Sequence, residues 1–507
     1  MHTTRTLTTA PLSIDDVVQV AREGRRVLLG APARKAMARA RALVEQALDD
    51  GKPHYGINTG FGSLSKQRIG QGDLRTLQLN LIRSHAAGVG EPLPGDVVRG
   101  MMLLLAASLA RGLSGVRPVV VQRLLDLLNA GITPVVPSIG SVGASGDLAP
   151  LAHVAMVLLG EGEALVGGKK VPGGKALDKA GITPLRLEAK EGLALINGTH
   201  LMAARGALLC ADAWVLLDTA CLALAMSIDA CRASHSFLDD RLYVARNQPG
   251  PRAAARAVAG HLKGSAIRKS HLKNDPRVQD PYSLRAGATV LGAALETVAD
   301  LERAIVGELG AVTDNPLVFA RGRAGPDIIS GANFHGMPLA IPLDALAIAL
   351  CHVAGISERR SYLMTGAFEP ESHLKPFLAP RPGLQSGLMI AQYTAAACVN
   401  ELVGLATPAS VANVSTSAGM EDYNSFGPRG AAKAARGIEL CAHVIAIEMI
   451  CAGEGLYTHA PLKSGKGVET ARTLLRKVVR RLTDDRSPSP DIERLSENIG
   501  AGVFAHL

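Results

Sequence analysis

Residues 203–231 read AARGALLCADAWVLLDTACLALAMSIDAC. Apolar side chains recur there at three- and four-residue intervals, the period of an α-helix and not the two-residue alternation of a strand. Four further runs, at 284–310, 340–363, 384–404 and 430–455, repeat the pattern. Each is at least 20 residues long, well beyond the mean helix of about 11–12 residues. None is charge-free, so each keeps a polar stripe. Long helices joined by loops predict an all-α protein, a long antiparallel helical bundle over residues 204–507.

Upstream, residues 1–203 are expected to form a loop-rich helical region. Apolar and charged positions alternate at helical period over 14–49, with Ser13-Ile14-Asp15-Asp16 as a helix start. Helices are expected at 73–88, 96–112, 117–130 and from Asp147 to Leu159, and a hairpin or surface excursion at 162–176. Tyr55-Gly56-Ile57-Asn58-Thr59-Gly60-Phe61-Gly62 is a loop, and 133–146 is rich in Pro, Gly and Ser.

Bulk properties bound the function. The 507 residues are too many for one compact core. Hydrophobic residues make up 47% and charged residues 20%, as in a soluble globular protein, with mean hydropathy +0.18. Aromatics are only 3%, so Ala, Leu, Val and Ile build the core. The net charge of +9 admits a nucleic-acid partner or a non-catalytic scaffold. The densest basic run, Arg472 to Arg486, is however interrupted by Leu, Val and Asp and lacks interleaved aromatics, so a solvated helix face is expected and no nucleic-acid partner. Seven scattered cysteines without a CxxC pair read as buried thiols in a reducing compartment. No apolar signal segment opens the chain, and apolar stretches such as Met101–Leu109 are too short for a bilayer, which needs about 20 residues. A cytoplasmic protein with no membrane partner is expected. No HExxH or Cys/His cluster predicts a metal.

The most informative short stretch is Gly140-Ser141-Val142-Gly143-Ala144-Ser145-Gly146-Asp147-Leu148-Ala149-Pro150-Leu151. It can be a Gly-rich loop capping a helix. It lacks the GxxxxGK[ST] pattern of a phosphate loop. A third chemistry is open to it. The Gly146 nitrogen carries no obstructing side chain, so in a tight bend it can attack the Ala144 carbonyl carbon. Loss of water closes a five-membered ring, and dehydration of Ser145 adds an exocyclic methylene.

These twelve residues resemble the signature of the aromatic amino acid ammonia-lyase and aminomutase family, and the likeness runs over nearly the whole chain. The resemblance implies an electrophilic methylidene-imidazolone made from Ala144, Ser145 and Gly146, with no diffusible cofactor, in a homotetramer whose active sites are shared between subunits. It implies that Tyr55, on a mobile loop, removes the substrate β-proton. It places Asn197 of Asn197-Gly198-Thr199 at the cofactor and substrate. In Val278–Arg285 it places Gln279 and Tyr282 in the site, with Tyr282 assisting at the amine and Arg285 holding the substrate carboxylate. In Asn333-Phe334-His335 it turns Asn333 and Phe334 to the cofactor.

Two positions bear on the substrate side chain. Ser84-His85 matches the histidine-directed members, although some tyrosine aminomutases also carry it, and a histidine can hydrogen-bond an imidazole. Glu421 matches a glutamate of the histidine-directed members where phenyl- and phenol-directed ones have glutamine. A carboxylate can pair with an imidazole, whereas beside a phenyl ring it has no partner. Departures are Met420, Tyr423 and His200, and Tyr393 matches a tyrosine that contacts the substrate hydroxyl in a tyrosine aminomutase. The expected reaction is non-oxidative elimination of ammonia from L-histidine, a small amino acid substrate, to give trans-urocanate. A lyase or aminomutase acting on tyrosine is the alternative.

Overall fold

In the computed structural model, residues 4–273, 275–320 and 325–507 are described; Met1–Thr3 of the expected leaderless terminus lie outside them. Helices dominate. Among the described residues the strands are three or four residues long, so the all-α class holds. The chain divides into two compact units: residues 1–208, 301–343 and 409–431 form the first, and 209–300, 344–408 and 432–507 the second. Neither unit is one contiguous stretch of chain.

In the first unit, Ser13 starts the helix Ile14–Ala21 as a reciprocal cap. Its hydroxyl accepts the Asp16 amide at 3.0 Å, and the Asp16 carboxylate accepts the Ser13 amide at 3.1 Å. The helical pattern expected over 14–49 is broken. Gly24, at φ +69°, turns the chain into the strand Val27–Leu29, which pairs in parallel with Arg5–Leu7 before the helix Ala31–Asp49 begins. The helix Gly95–Ala110 is buried almost throughout and packs on Ile14–Ala21 and on Pro118–Asn129. The hairpin expected at 162–176 is present as Glu163–Val166 and Lys169–Pro172. It leads on to the short helix Gly173–Lys179.

The second unit is built from long helical segments around a buried charge pair. Arg360 and Glu448 are both fully buried, with Nε to Oε1 at 2.5 Å and Nη2 to Oε2 at 2.7 Å. Ser227 and Ser357 donate to the same carboxylate at 2.7 and 2.6 Å, so its lone pairs are used up, as a buried ion requires. The basic run expected as a solvated face is tied down locally. Arg472 pairs with Glu469, Arg476 with Glu454 and Arg486 with Asp491, and three of its arginines stack on Tyr457.

One expectation is overturned. Among the described residues three helices, His200–Ala230, Met337–Gly366 and the run Gly427–His459, are long and apolar enough to cross a membrane by length and composition. Their apolar windows are 72%, 50% and 89% buried inside the protein. Burial in the helical core accounts for that apolar composition. Of the seven cysteines, none is in a disulfide; five are buried, and Cys351 and Cys398 are half-buried.

Candidate active site

In the Ala144-Ser145-Gly146 tripeptide, Ala144 and Ser145 lie between two left-handed glycines, Gly143 at φ +68° and Gly146 at φ +72°. A side chain at Gly146 would meet the Gly198 carbonyl at 2.2 Å, so only glycine permits this turn to lie against the Asn197-Gly198-Thr199 segment. The Asp147 amide donates to the Gly198 oxygen at 2.7 Å and fixes the approach. The Asp147 carboxylate, fully buried, accepts the amides of Leu201 and Met202 at 2.9 and 3.1 Å and the Ser141 hydroxyl at 3.0 Å. It therefore caps the start of the helix His200–Ala230. Burial raises its pKa to about 7, against the pull of those three hydrogen bonds.

Ser145 faces a cavity of about 970 Å³. Of the residues singled out in the sequence, Tyr55, His85, Asn197, Phe334 and Glu421 line it together with Ser145. The Ser145 hydroxyl donates to Glu421 Oε1 at 2.6 Å. Thr416 donates to the other oxygen, Oε2, at 3.1 Å. The Tyr55 phenol oxygen accepts the Gly62 amide at 3.3 Å.

The hydrogen-bond partners settle which atoms these side chains offer. His85 Nδ1 lies 2.8 Å from the Leu81 carbonyl, which can only accept, so Nδ1 carries the proton and Nε2 is an acceptor. Burial lowers the His85 pKa and keeps the ring neutral, although the Leu81 carbonyl and the Glu421 charge pull the other way. Asn197 donates through Nδ2 to the Asn315 carbonyl at 3.1 Å and to Asp314 at 3.5 Å. Its Oδ1 is buried and has no partner. Asn197 Oδ1, His85 Nε2 and the Glu421 carboxylate are therefore all acceptors, and the cavity suits a ligand rich in N–H donors.

Of the remaining expected residues, Gln279, Tyr282, Arg285 and Tyr393 belong to the second unit and Asn333 to the first. Arg285 donates to the Asp280 carbonyl at 2.9 Å and to Gln279 Oε1 at 3.0 Å, and its guanidinium lies 4.3 Å from the Tyr282 ring centre. Tyr282 is 71% exposed, and Tyr393, on the helix Met389–Leu405, is 60% exposed. Asn333 donates to the Val312 carbonyl at 3.3 Å and does not line the cavity. His335 bonds to the Tyr423 carbonyl at 3.0 Å and stacks on the Tyr423 ring.

Three supporting residues escaped sequence reasoning. Lys190 and Asp314, both buried, form an ion pair at 2.5 Å that anchors the strand of contacts behind Asn197. Thr416 holds Glu421. None belongs to a motif that local spacing could flag.

A helical scaffold that presents a glycine-bounded Ala-Ser-Gly turn, a phenol, an imidazole and a carboxylate to one cavity defines an enzyme acting on a small, donor-rich molecule. The chain belongs to the aromatic amino acid lyase family, whose model matches residues 12–477. It is similar to the histidine ammonia-lyase of Deinococcus radiodurans, 47% identical over 497 residues that cover 98% of this chain and 94% of the relative. Among solved structures it is similar to histidine ammonia-lyase from Trypanosoma cruzi, with TM-score 0.91, 36% identity and coverage of 99% and 94% of the two chains. It is also similar to the tyrosine aminomutase from Streptomyces globisporus, with TM-score 0.92, 32% identity and coverage of 99% and 98%.

Proposed function

We infer that the protein is a histidine ammonia-lyase, converting L-histidine to trans-urocanate and ammonia. The observation that carries this reading is the placing of the His85 acceptor and the Glu421 carboxylate in the cavity that Ser145 faces. Full-length relatives at 45–47% identity named histidine ammonia-lyase support it. An imidazole brings an N–H to such acceptors and can take positive charge beside the carboxylate. A phenyl ring would leave the carboxylate desolvated and unpaired.

The residues present fit a prosthetic group formed from Ala144, Ser145 and Gly146. Left-handed glycines flank Ala144 and Ser145, the Gly146 amide has no side chain over it, and Asn197, whose buried Oδ1 has no partner, is among the residues of the same cavity. A methylidene-imidazolone there supplies an electrophilic alkene that turns the substrate amino group into a leaving group. Tyr55 takes the β-proton. His85 and Glu421 orient the imidazole, Asn197 accepts from the substrate amine, and Phe334 packs in the cavity wall. Arg285, splayed by Gln279 and the Asp280 carbonyl, holds the carboxylate; Tyr282 assists at the amine. The exposure of Tyr282 and Tyr393 in the single chain fits a homotetramer in which each site is completed by residues of another copy. The exposed Ile341, Ile390 and Val403 give that assembly apolar surface to bury. The enzyme works in the cytoplasm, where its unbridged cysteines remain reduced.

Replacing Ser145 with alanine tests the reading. The variant keeps its circular dichroism spectrum and loses turnover of L-histidine. Full turnover by Ser145→Ala would refute the electrophile.

A further inference from the structure

The Ser145 hydroxyl is spent on a single acceptor, Glu421 Oε1 at 2.6 Å, and that carboxylate is held from its other side by Thr416 at 3.1 Å. Yet this hydroxyl oxygen is absent from the finished prosthetic group. We propose that Glu421 serves the protein twice: it first positions the Ser145 hydroxyl for dehydration while the prosthetic group forms, and then, once that oxygen has left as water, its freed Oε1 receives the substrate imidazole. The inference rests on the proposed function and concerns the same site.

The chemistry balances without an oxidant. The Gly146 nitrogen bonds to the Ala144 carbonyl carbon. The Ala144 oxygen leaves as water with the amide hydrogens of Gly146 and Ser145, and a C=N bond forms between the Ala144 carbon and the Ser145 nitrogen. The second water takes the Ser145 hydroxyl and the Ser145 Cα hydrogen, leaving a Cα=Cβ double bond. Only this second loss breaks the Cβ–Oγ bond, and only it involves the atom Glu421 holds. A serine side chain otherwise rotates among three staggered states. The hydrogen bond to Glu421 selects one of them and keeps the leaving oxygen facing the cavity, where water can depart.

The role needs an acceptor and not a charge, whereas binding an imidazole needs the charge. Intact mass separates the two. Wild type should lack two waters. Glu421→Gln retains an acceptor oxygen, and the Thr416 hydroxyl can accept from its amide; it should also lack two waters while turning over histidine poorly. Glu421→Ala should accumulate chains lacking only one water, ring closed and hydroxyl retained. Its fully dehydrated fraction should fall about tenfold or more soon after synthesis, the worth of one hydrogen bond to a charged group. Thr416→Val keeps shape and removes only the support of Glu421; it should show an intermediate fraction, and it serves where Glu421→Ala fails to fold. Complete loss of two waters from both Glu421→Ala and Thr416→Val overturns the proposal, as does a Glu421→Gln protein that stalls as fully as Glu421→Ala. A wild-type protein of unmodified mass overturns the proposed function as well, and only that outcome touches the wild type.

Discussion

Neutralising one member of the buried Lys190–Asp314 pair should cost far more than neutralising both. The two side chains are 0% and 2% exposed, with Nζ 2.5 Å from Oδ2. Asp314→Asn keeps the shape and strands the Lys190 ammonium without a counter-charge. Breaking a buried pair in this way costs about 3–5 kcal/mol. Lys190→Met strands the carboxylate instead and should cost a similar amount. The double variant Lys190→Met/Asp314→Asn has no buried charge, so it should recover most of the loss. With each single variant costing about 3–5 kcal/mol, a double variant that costs about 1–2 kcal/mol puts the coupling between the two sites at about 5–8 kcal/mol, favourable to the pair of changes. Urea unfolding followed by circular dichroism reads this directly. With a slope of a few kcal/mol per M, each single variant should lower the midpoint by roughly 1–2 M. Single variants that cost less than about 1 kcal/mol, or a double variant whose loss is the sum of the two, would refute the reasoning that this pair is a desolvated, mutually dependent unit.

Two further outcomes follow from the site. Gly146→Ala puts a Cβ 2.2 Å from the Gly198 carbonyl at a φ of +72°, so intact mass should show both waters retained and turnover should be lost; normal dehydration in this variant would contradict the close approach. Burial holds His85 below its ordinary 6.5, and its acceptor Nε2 exists only in the neutral ring. The acid limb of kcat/KM for histidine should therefore lie below pH 6.5. The stability tied to neutral His85 is full above 6.5 and is lost as pH falls toward the depressed value. An acid limb above pH 6.5 would exclude His85 from that role.

The legible parts of this fold are those written locally. The run at 203–231 became the helix His200–Ala230, 430–455 became Gly427–Gly455, and 117–130 became Pro118–Asn129, because 3.6-residue periodicity records a buried stripe directly. The pattern at 14–49 misled because a three-residue strand is shorter than the window in which periodicity shows, although Gly24, Gly30 and Pro32 punctuate it. In the site, Ala144-Ser145-Gly146 was legible because its chemistry needs three consecutive residue types. The Ser145–Glu421 bond spans 276 positions and Lys190–Asp314 spans 124. No single sequence encodes such pairings in its spacing. Glu421 was found only through its likeness to a family element, and Lys190, Asp314 and Thr416, which hold the visible residues in place, were not found at all.

The most direct measurement is of product identity. The purified protein, incubated separately with L-histidine and L-tyrosine, should release ammonia and the conjugated absorbance of trans-urocanate from histidine, and neither ammonia nor a cinnamate-type product from tyrosine. Turnover of tyrosine in preference to histidine, or a β-amino acid in place of urocanate, would contradict the assignment of His85 and Glu421 as an imidazole site.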